Sequence, residues 1–285
     1  MPNPINIKNI LKEKKLAPQK KLGQNFLRDP QTAIRIIELA GVTSEDTIIE
    51  LGVGLGSLTV LLAQRAKKVI GLEIDRGIVE WHRETNDLPA NVTLIHQDLL
   101  KTNFNELAEQ HGHLKIIANL PYSISSPLLF KLIKDRDALE YAVLMLQKEV
   151  GQRLTAEPAT KEYGVLSVLL GTCASMQTLM HVSPAMFHPR PKVDSVVVSL
   201  RFNPIPKRCA LLPEHDYDLL RKVVNAAFQQ RRKTLINALS AANLMELDKK
   251  GLTLVLEKAG IAPSIRAERL TIEDYVRLTN VLANS

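Results

Sequence analysis

Ile48-Ile49-Glu50-Leu51-Gly52-Val53-Gly54-Leu55-Gly56-Ser57-Leu58-Thr59 passes from a β-branched run through a glycine-rich turn into the amphipathic stretch Leu58 to Lys67. This order reads as strand, loop, helix. Glycines let the backbone approach a ligand closely, and the helix amino end offers it unpaired N–H groups. Dinucleotide sites prefer G-x-G-x-x-G, whereas Gly52, Gly54 and Gly56 follow G-x-G-x-G. The spacing favours a different nucleoside-like ligand.

Three further apolar runs end on a polar residue in the same way. Lys68 to Leu72 ends at Glu73, 23 residues beyond Glu50; Val92 to Gln97 ends at Asp98; Lys115 to Ala118 ends at Asn119. An acid about 20 residues past a glycine loop can accept both ribose hydroxyls. In open α/β sheets ligands lie beyond the carboxyl ends of the strands, so Glu50, Glu73, Asp98 and Asn119 are expected in one crevice. The tetrapeptide Asn119-Leu120-Pro121-Tyr122 adds a chemistry. An adenine amine delocalises its lone pair into the ring, and a catalyst of its alkylation should accept hydrogen bonds from that amine. Asn119 Oδ1 and the Leu120 carbonyl are the candidate acceptors, Pro121 holds the turn without needing an amide partner, and Tyr122 can stack on the base. An ordinary strand-end turn would read the same way in isolation.

Taken with Gln24 to Leu27, Glu73-Ile74-Asp75, Gln97-Asp98 and Phe187 to Ser195, these stretches resemble the rRNA adenine dimethyltransferase family, in its bacterial small-subunit branch, over nearly the whole chain. The resemblance implies an α/β fold with a Rossmann-like class I SAM-dependent methyltransferase sheet, mostly parallel with an antiparallel edge strand, followed by a small all-helical domain. It implies transfer of methyls from S-adenosylmethionine to the exocyclic N6 of two adjacent adenosines near the 3′ end of 16S rRNA, leaving S-adenosylhomocysteine. By the same resemblance Asn25, Leu27, Gly52, Gly54, Glu73, Ile74, Asp98, Leu99 and Asn119 would hold the cofactor. Phe187 would join Asn119, Leu120, Pro121 and Tyr122 beside the target base; its other reading is a hydrophobic plug. Val53 and Ser57 stand where the branch often has proline and alanine, and neither is expected to touch a polar contact of the site.

The chain has 285 residues, 45% hydrophobic and 24% charged, with a net charge of +7. Seven Lys/Arg face one acid over residues 1–28, and thirteen face nine over residues 206–285, so the block between is net acidic. A basic arm and a basic tail flanking an acidic block suit phosphates approaching from both ends. The expected division is an arm over 1–28, a methyltransferase domain over 29–205 and a helical RNA-binding domain over 206–285, with the boundary at Asn203-Pro204-Ile205-Pro206. Helices are expected over Tyr217 to Phe228, Leu235 to Leu244, Leu252 to Lys258 and Ile272 to Leu282. Arg231, Arg232 and Lys233 are candidate phosphate contacts, as are Arg190 and Lys192 in the loop after Phe187. Arg266 to Leu270 reads equally as RNA-binding or internally paired.

Cys173 and Cys209 are too few for a disulfide framework, and His111-x-His113 has no partners at zinc spacing, so no metal is expected. No apolar run reaches membrane length and the start has no signal-peptide core. These features suit a cytoplasmic protein; the resemblance implies that it acts on the small ribosomal subunit or its precursor, and a monomer is expected. Three rivals stay open: a resistance-type methylase of large-subunit rRNA, an assembly factor for which docking matters more than catalysis, and an NAD-dependent oxidoreductase, which the glycine spacing disfavours.

Overall fold

The computed structural model describes residues 23–284. The basic arm expected over residues 1–28 therefore lies outside the described residues up to residue 22. By proximity along the backbone the chain separates into two units. One runs to Gly151 and resumes over Met176–Pro204; the other comprises Gln152–Ser175 and Ile205–Ser285. The second boundary falls where the prolines interrupt the sequence pattern. The stretch 152–175, placed by the sequence reading inside the 29–205 block, groups with the tail.

In the first unit, seven strands form one sheet: β2 (Thr47–Leu51), β3 (Lys68–Glu73), β4 (Val92–His96), β5 (Leu114–Asn119), β6 (Leu139–Gln147), β7 (Ser175–Val182) and β9 (Ser195–Arg201). Their spatial order is β4-β3-β2-β5-β6-β9-β7. The first five are parallel neighbours, and β9 runs antiparallel to β6. Ile48, Ile49, Val69, Ile116, Ile117 and Val143 are all at most 2% exposed, as expected where crossover helices cover both faces of a parallel sheet. A separate ribbon pairs β1 (Phe26–Leu27) with β8 (Phe187–His188), placing Leu27 opposite Phe187.

The crossovers are α1 (Pro30–Ala40), α2 (Thr59–Ala63), α3 (Arg76–Thr85), α4 (Phe104–His111) and α5 (Ser125–Lys134). Local signals start and stop them. Asp29 accepts from Thr32 N at 2.8 Å with Pro30 in the first turn, and Gly41 ends α1 in the left-handed region. The sequence pattern carries α2 on to Lys67, but the helix ends at Ala63. There the Asn91 amide takes the carbonyls of Ala63 and Ala66 at 2.8 and 3.2 Å, while Lys67 and Lys68 donate to Asp46 O as the chain turns into β3.

Strand order reverses at β2, whose neighbours are β3 and β5, and this switch point is where a ligand crevice forms. Register there brings Glu50 level with Gly71 and Ile117. Gly71 has no alternative: a Cβ on it would lie 2.4 Å from Val53 Cγ2. Val53, which departs from the family's frequent proline, thus packs its methyl into the space that Gly71 leaves and seats the glycine turn on β3.

The second unit contains α7 (Val165–Gly171), α8 (Lys207–Ala210), α9 (Tyr217–Phe228), α10 (Leu235–Ala241), α11 (Lys249–Lys258) and α12 (Ile272–Ala283). The pattern predicts α10 to Leu244; it stops at Ala241, and Asn243 adopts a left-handed φ of 48°. Tyr163, Phe228 and Tyr275 form its aromatic centre, with ring separations of 6.1 and 6.0 Å. Tyr275 donates its buried hydroxyl to Ala267 O at 2.8 Å.

Gly71→Ala should destabilise the protein by about 1–3 kcal/mol, the cost of overpacking a filled core. The urea midpoint reads this directly, and an unchanged midpoint would show that Val53 moves aside freely.

Candidate active site

A cleft enclosing about 920 Å³, part of it open to solvent, lies at the switch point. Its wall includes every residue expected at the cofactor: Asn25, Leu27, Gly52, Gly54, Glu73, Ile74, Asp98, Leu99 and Asn119. Glu50 and Pro121 line it as well. The four strand-end polar residues thus share one space.

Backbone N–H groups organise the acidic wall. Glu73, 5% exposed, accepts from Gly54 N with Oε2 and from Asp75 N with Oε1, both at 2.9 Å. Burial pushes its carboxyl above the ordinary value, and these two hydrogen bonds oppose the rise. Each oxygen keeps a lone pair that a hydroxyl can use. Asp98 caps the turn after β4, accepting from Leu100 N at 2.9 Å. Ile74 is 41% exposed and adds to the apolar part of the lining, which also includes Leu27, Val53 and Leu99.

Asn119 donates Nδ2 to Asn25 O at 3.1 Å. With the amide nitrogen engaged, the remaining polar atom of the side chain is an acceptor. This is the polarity that an amine nucleophile requires.

Pro121 lines the cleft beside Asn119, and the other three catalytic candidates sit elsewhere. Leu120 is buried at 2%, and its N–H donates to Met145 O at 3.3 Å. The Tyr122 hydroxyl is hydrogen-bonded to Ser195 Oγ at 2.7 Å. Burial raises the Tyr122 pKa, and the Ser195 contact opposes the rise. Phe187, 2% exposed, belongs to the core with Leu27, Ile37 and Val197. None of these three side chains lines the cleft.

Supports missed in the sequence surround the glycine turn. His82, 2% exposed, bridges Gly54 O at 2.8 Å and Asp87 Oδ1 at 2.9 Å. Asp87, five residues on, was its only sequence cue. Ser57, expected to touch no polar contact of the site, donates Oγ to Leu27 O at 2.7 Å. It fastens the amino-terminal strand to the turn. Gln24 Nε2 reaches Asp75 Oδ2 at 2.9 Å.

The candidate phosphate contacts divide. Arg190, Lys192, Arg231, Arg232 and Lys233 are all exposed, but only Arg231 has its guanidinium tied by the contacts that follow. Arg231 is engaged inside its own unit: Nη2 donates to Lys161 O at 2.8 Å and Tyr163 O at 3.0 Å, and pairs with Glu268 at 3.5 Å. The pairing gives Glu268 an internal role within Arg266 to Leu270. Among the described residues, no helix is long and apolar enough to cross a membrane.

The ribosomal RNA adenine dimethylase family model matches residues 16–284. The chain belongs to the ribosomal RNA adenine dimethylase family. Among curated relatives of this family, the ribosomal RNA small subunit methyltransferase A of Desulfotalea psychrophila is 53% identical over 279 residues, covering 95% of this chain and 93% of the relative. Its counterpart in Bacillus cereus is 41% identical over 284 residues, covering 98% and 96%. Among solved structures, a Plasmodium falciparum dimethyladenosine transferase is 30% identical with a TM-score of 0.73, covering 91% of this chain and 98% of that one. The 23S rRNA methyltransferase ErmE is 25% identical with a TM-score of 0.63, covering 91% and 100%. For a dimethylase, the acidic wall, the glycine turn and Asn119 are the features to explain.

Arg231→Ala should cost the dimethylase about 0.5–1.5 kcal/mol through loss of its hydrogen bonds to two carbonyls. Arg232→Ala should change stability by less than about 0.5 kcal/mol. Thermal unfolding of the two variants compares them, and equal losses would mean that Arg231 is no clamp.

Proposed function

We propose that this dimethylase converts two adjacent adenosines near the 3′ end of 16S rRNA to N6,N6-dimethyladenosine. What supports the reading most is Asn119: at the switch point of a dimethylase sheet, its nitrogen is tied to Asn25 O, leaving an amide oxygen to accept from a target amine.

The cleft suits S-adenosylmethionine chemically. Two buried carboxyls favour a cationic ligand, Glu73 can accept ribose hydroxyls, and Asp98 can accept an adenine amine. Gly52 and Gly54, at φ of 82° and 54°, keep the turn open where side chains would intrude. When bound, the cofactor supplies an electrophilic methyl on its sulfonium. Leu27, Gly52 and Asn25 would flank its methionine part, with Ile74 and Leu99 against the adenine. S-adenosylhomocysteine is the product.

Methyl displacement needs orientation more than covalent assistance, and orientation can supply roughly 7–11 kcal/mol of barrier reduction. Asn119 Oδ1 and the Leu120 carbonyl orient the target nitrogen and favour its pyramidal form. Pro121 fixes the turn that carries both acceptors. Tyr122 and Phe187 belong to the base side of the reaction. The alkylated nitrogen is acidic and can lose its proton to water, so no His or Lys base is needed. Arg190, Lys192, Arg232 and Lys233 would meet RNA phosphates from the described surface, and the enzyme would work as a cytoplasmic monomer.

The test is methylation of small-subunit particles, free 16S rRNA and large-subunit RNA, followed by mapping of the modified nucleotide. We expect particles to be preferred and two adjacent dimethyladenosines near the 3′ end; modification of large-subunit RNA alone would overturn the assignment. Asn119→Ala should lower turnover roughly 100-fold, the scale of losing one transition-state hydrogen-bonding group, with a much smaller effect on cofactor affinity. Near-normal turnover would remove Asn119 from the chemistry.

A further inference from the structure

Glu50 and Glu73 share one cleft but differ in support. Glu73 receives two backbone N–H groups. Glu50 is 1% exposed, and its Oε2 has no hydrogen-bond partner among the described residues. Its flanks offer nothing ionic: Gly71 lies level on β3 and Ile117 on β5, and the Thr59 hydroxyl on α2 is the neutral group that eases the burial of the charge. The titratable groups in the cleft wall are Glu73 and Asp98, both acidic. An ionised carboxylate in such surroundings is expensive, and a second carboxylate beside it makes it more so.

We propose that Glu50 holds a proton in the empty cleft and releases it when a cationic ligand enters, so that binding of S-adenosylmethionine exchanges a proton for the ligand's positive charge. This rests on the cofactor reading above. The exchange balances simply: the Glu50 O–H bond breaks, the proton goes to solvent, and the carboxylate left behind pairs electrostatically with the cation. Burial first, then the Glu73 charge, pushes the empty-site carboxyl from the ordinary 4.5 up to about 8, against an opposing contribution from Thr59. At neutral pH the empty site is therefore mainly protonated. Glu50 is a charge-matching residue for the ligand, separate from the groups that orient the target amine.

Calorimetric titration of the whole protein with S-adenosylmethionine near pH 7, in phosphate and in Tris, counts the protons exchanged. Wild type should release roughly one proton more per site than Glu50→Gln, since any proton change on the ligand itself is common to both. Wild-type affinity should rise with pH between about 6 and 8, by up to about tenfold per unit, while the variant stays flat by comparison. Equal proton release in the two proteins would overturn the proposal and leave the cofactor reading standing. Absence of any binding heat would overturn the cofactor reading and the proposal with it.

Two readouts keep the proposal falsifiable if Glu50→Gln binds poorly or fails to fold. In wild type, an infrared carboxylic-acid carbonyl band at neutral pH should disappear on adding S-adenosylmethionine; a band that persists, or none in the empty protein, contradicts the exchange. Without ligand, the sign of the pH dependence is fixed. The folded carboxyl binds its proton more tightly than the unfolded one, so wild type loses stability as pH rises from the ordinary value through about 8. A folded Glu50→Gln should therefore melt above wild type by a margin that widens over that range, and a constant margin would count against a buried proton.

Discussion

Two backbone N–H groups on one buried carboxylate set the geometry on which the cleft depends. Gly54 N and Asp75 N meet on Glu73, joining the turn after β2 to the turn after β3. A buried carboxylate without such donors costs several kcal/mol, so the two loops that supply them are held to one another by the penalty of separating. The same link makes the glycine turn a shaped surface. From the opposite side His82 takes Gly54 O, so that one glycine's N–H and carbonyl are both anchored to side chains of the β3–α3 segment.

The amino-terminal strand is fastened to this framework in turn. Ser57 reaches Leu27 O, and Leu27 pairs with Phe187 in the small ribbon. Asn119 reaches Asn25 O from the end of β5. Residues distant in sequence therefore enter the cleft wall through main-chain contacts, and side chains at strand ends complete it. The sheet fixes the strand ends, and the strand ends fix the loops.

Much of this was readable in the sequence because parallel strands announce themselves. Runs such as Val69 to Leu72 and Ile116 to Ala118 are apolar on both faces and end in a polar residue, so their carboxyl ends are legible in the sequence alone. What escaped notice were contacts without a period. His82 lies on a helix whose pattern says only that it is buried, and its bond to Gly54 O depends on how α3 packs. Phe187 was ambiguous because a ring beside a base and a ring in the core share one hydrophobic signal; pairing with Leu27 placed it inward. Arg231 sits in a run of cations that reads as a surface stripe, and nothing in that run signals that its exposed guanidinium is taken up by the Lys161 and Tyr163 carbonyls. The stretch 152–175, read with the catalytic block, groups with the tail for a similar reason. Val165–Gly171 is apolar nearly throughout, and periodicity cannot say which partner such a helix covers. Its Gly171 leaves room for Ile272, where a Cβ would lie 2.2 Å from Cδ1, and so it packs with the tail.

The two sides of the proposed site differ in physical character. Its acidic and glycine-rich side is built from main-chain groups whose positions follow from the sheet, and its carboxyls are buried before any ligand arrives. The groups assigned to the base are held by interactions of their own: the Tyr122 hydroxyl by Ser195, and the Phe187 ring by the core. A ligand that meets the first side finds hydrogen-bonding groups already aligned, and little ordering remains to oppose binding. A base meeting the second side must compete with contacts already made. On the proposed function, selectivity for the reacting nucleotide would rest on how well a flipped base replaces those contacts, and a purine would offer both a flat face and an amine to Asn119 Oδ1.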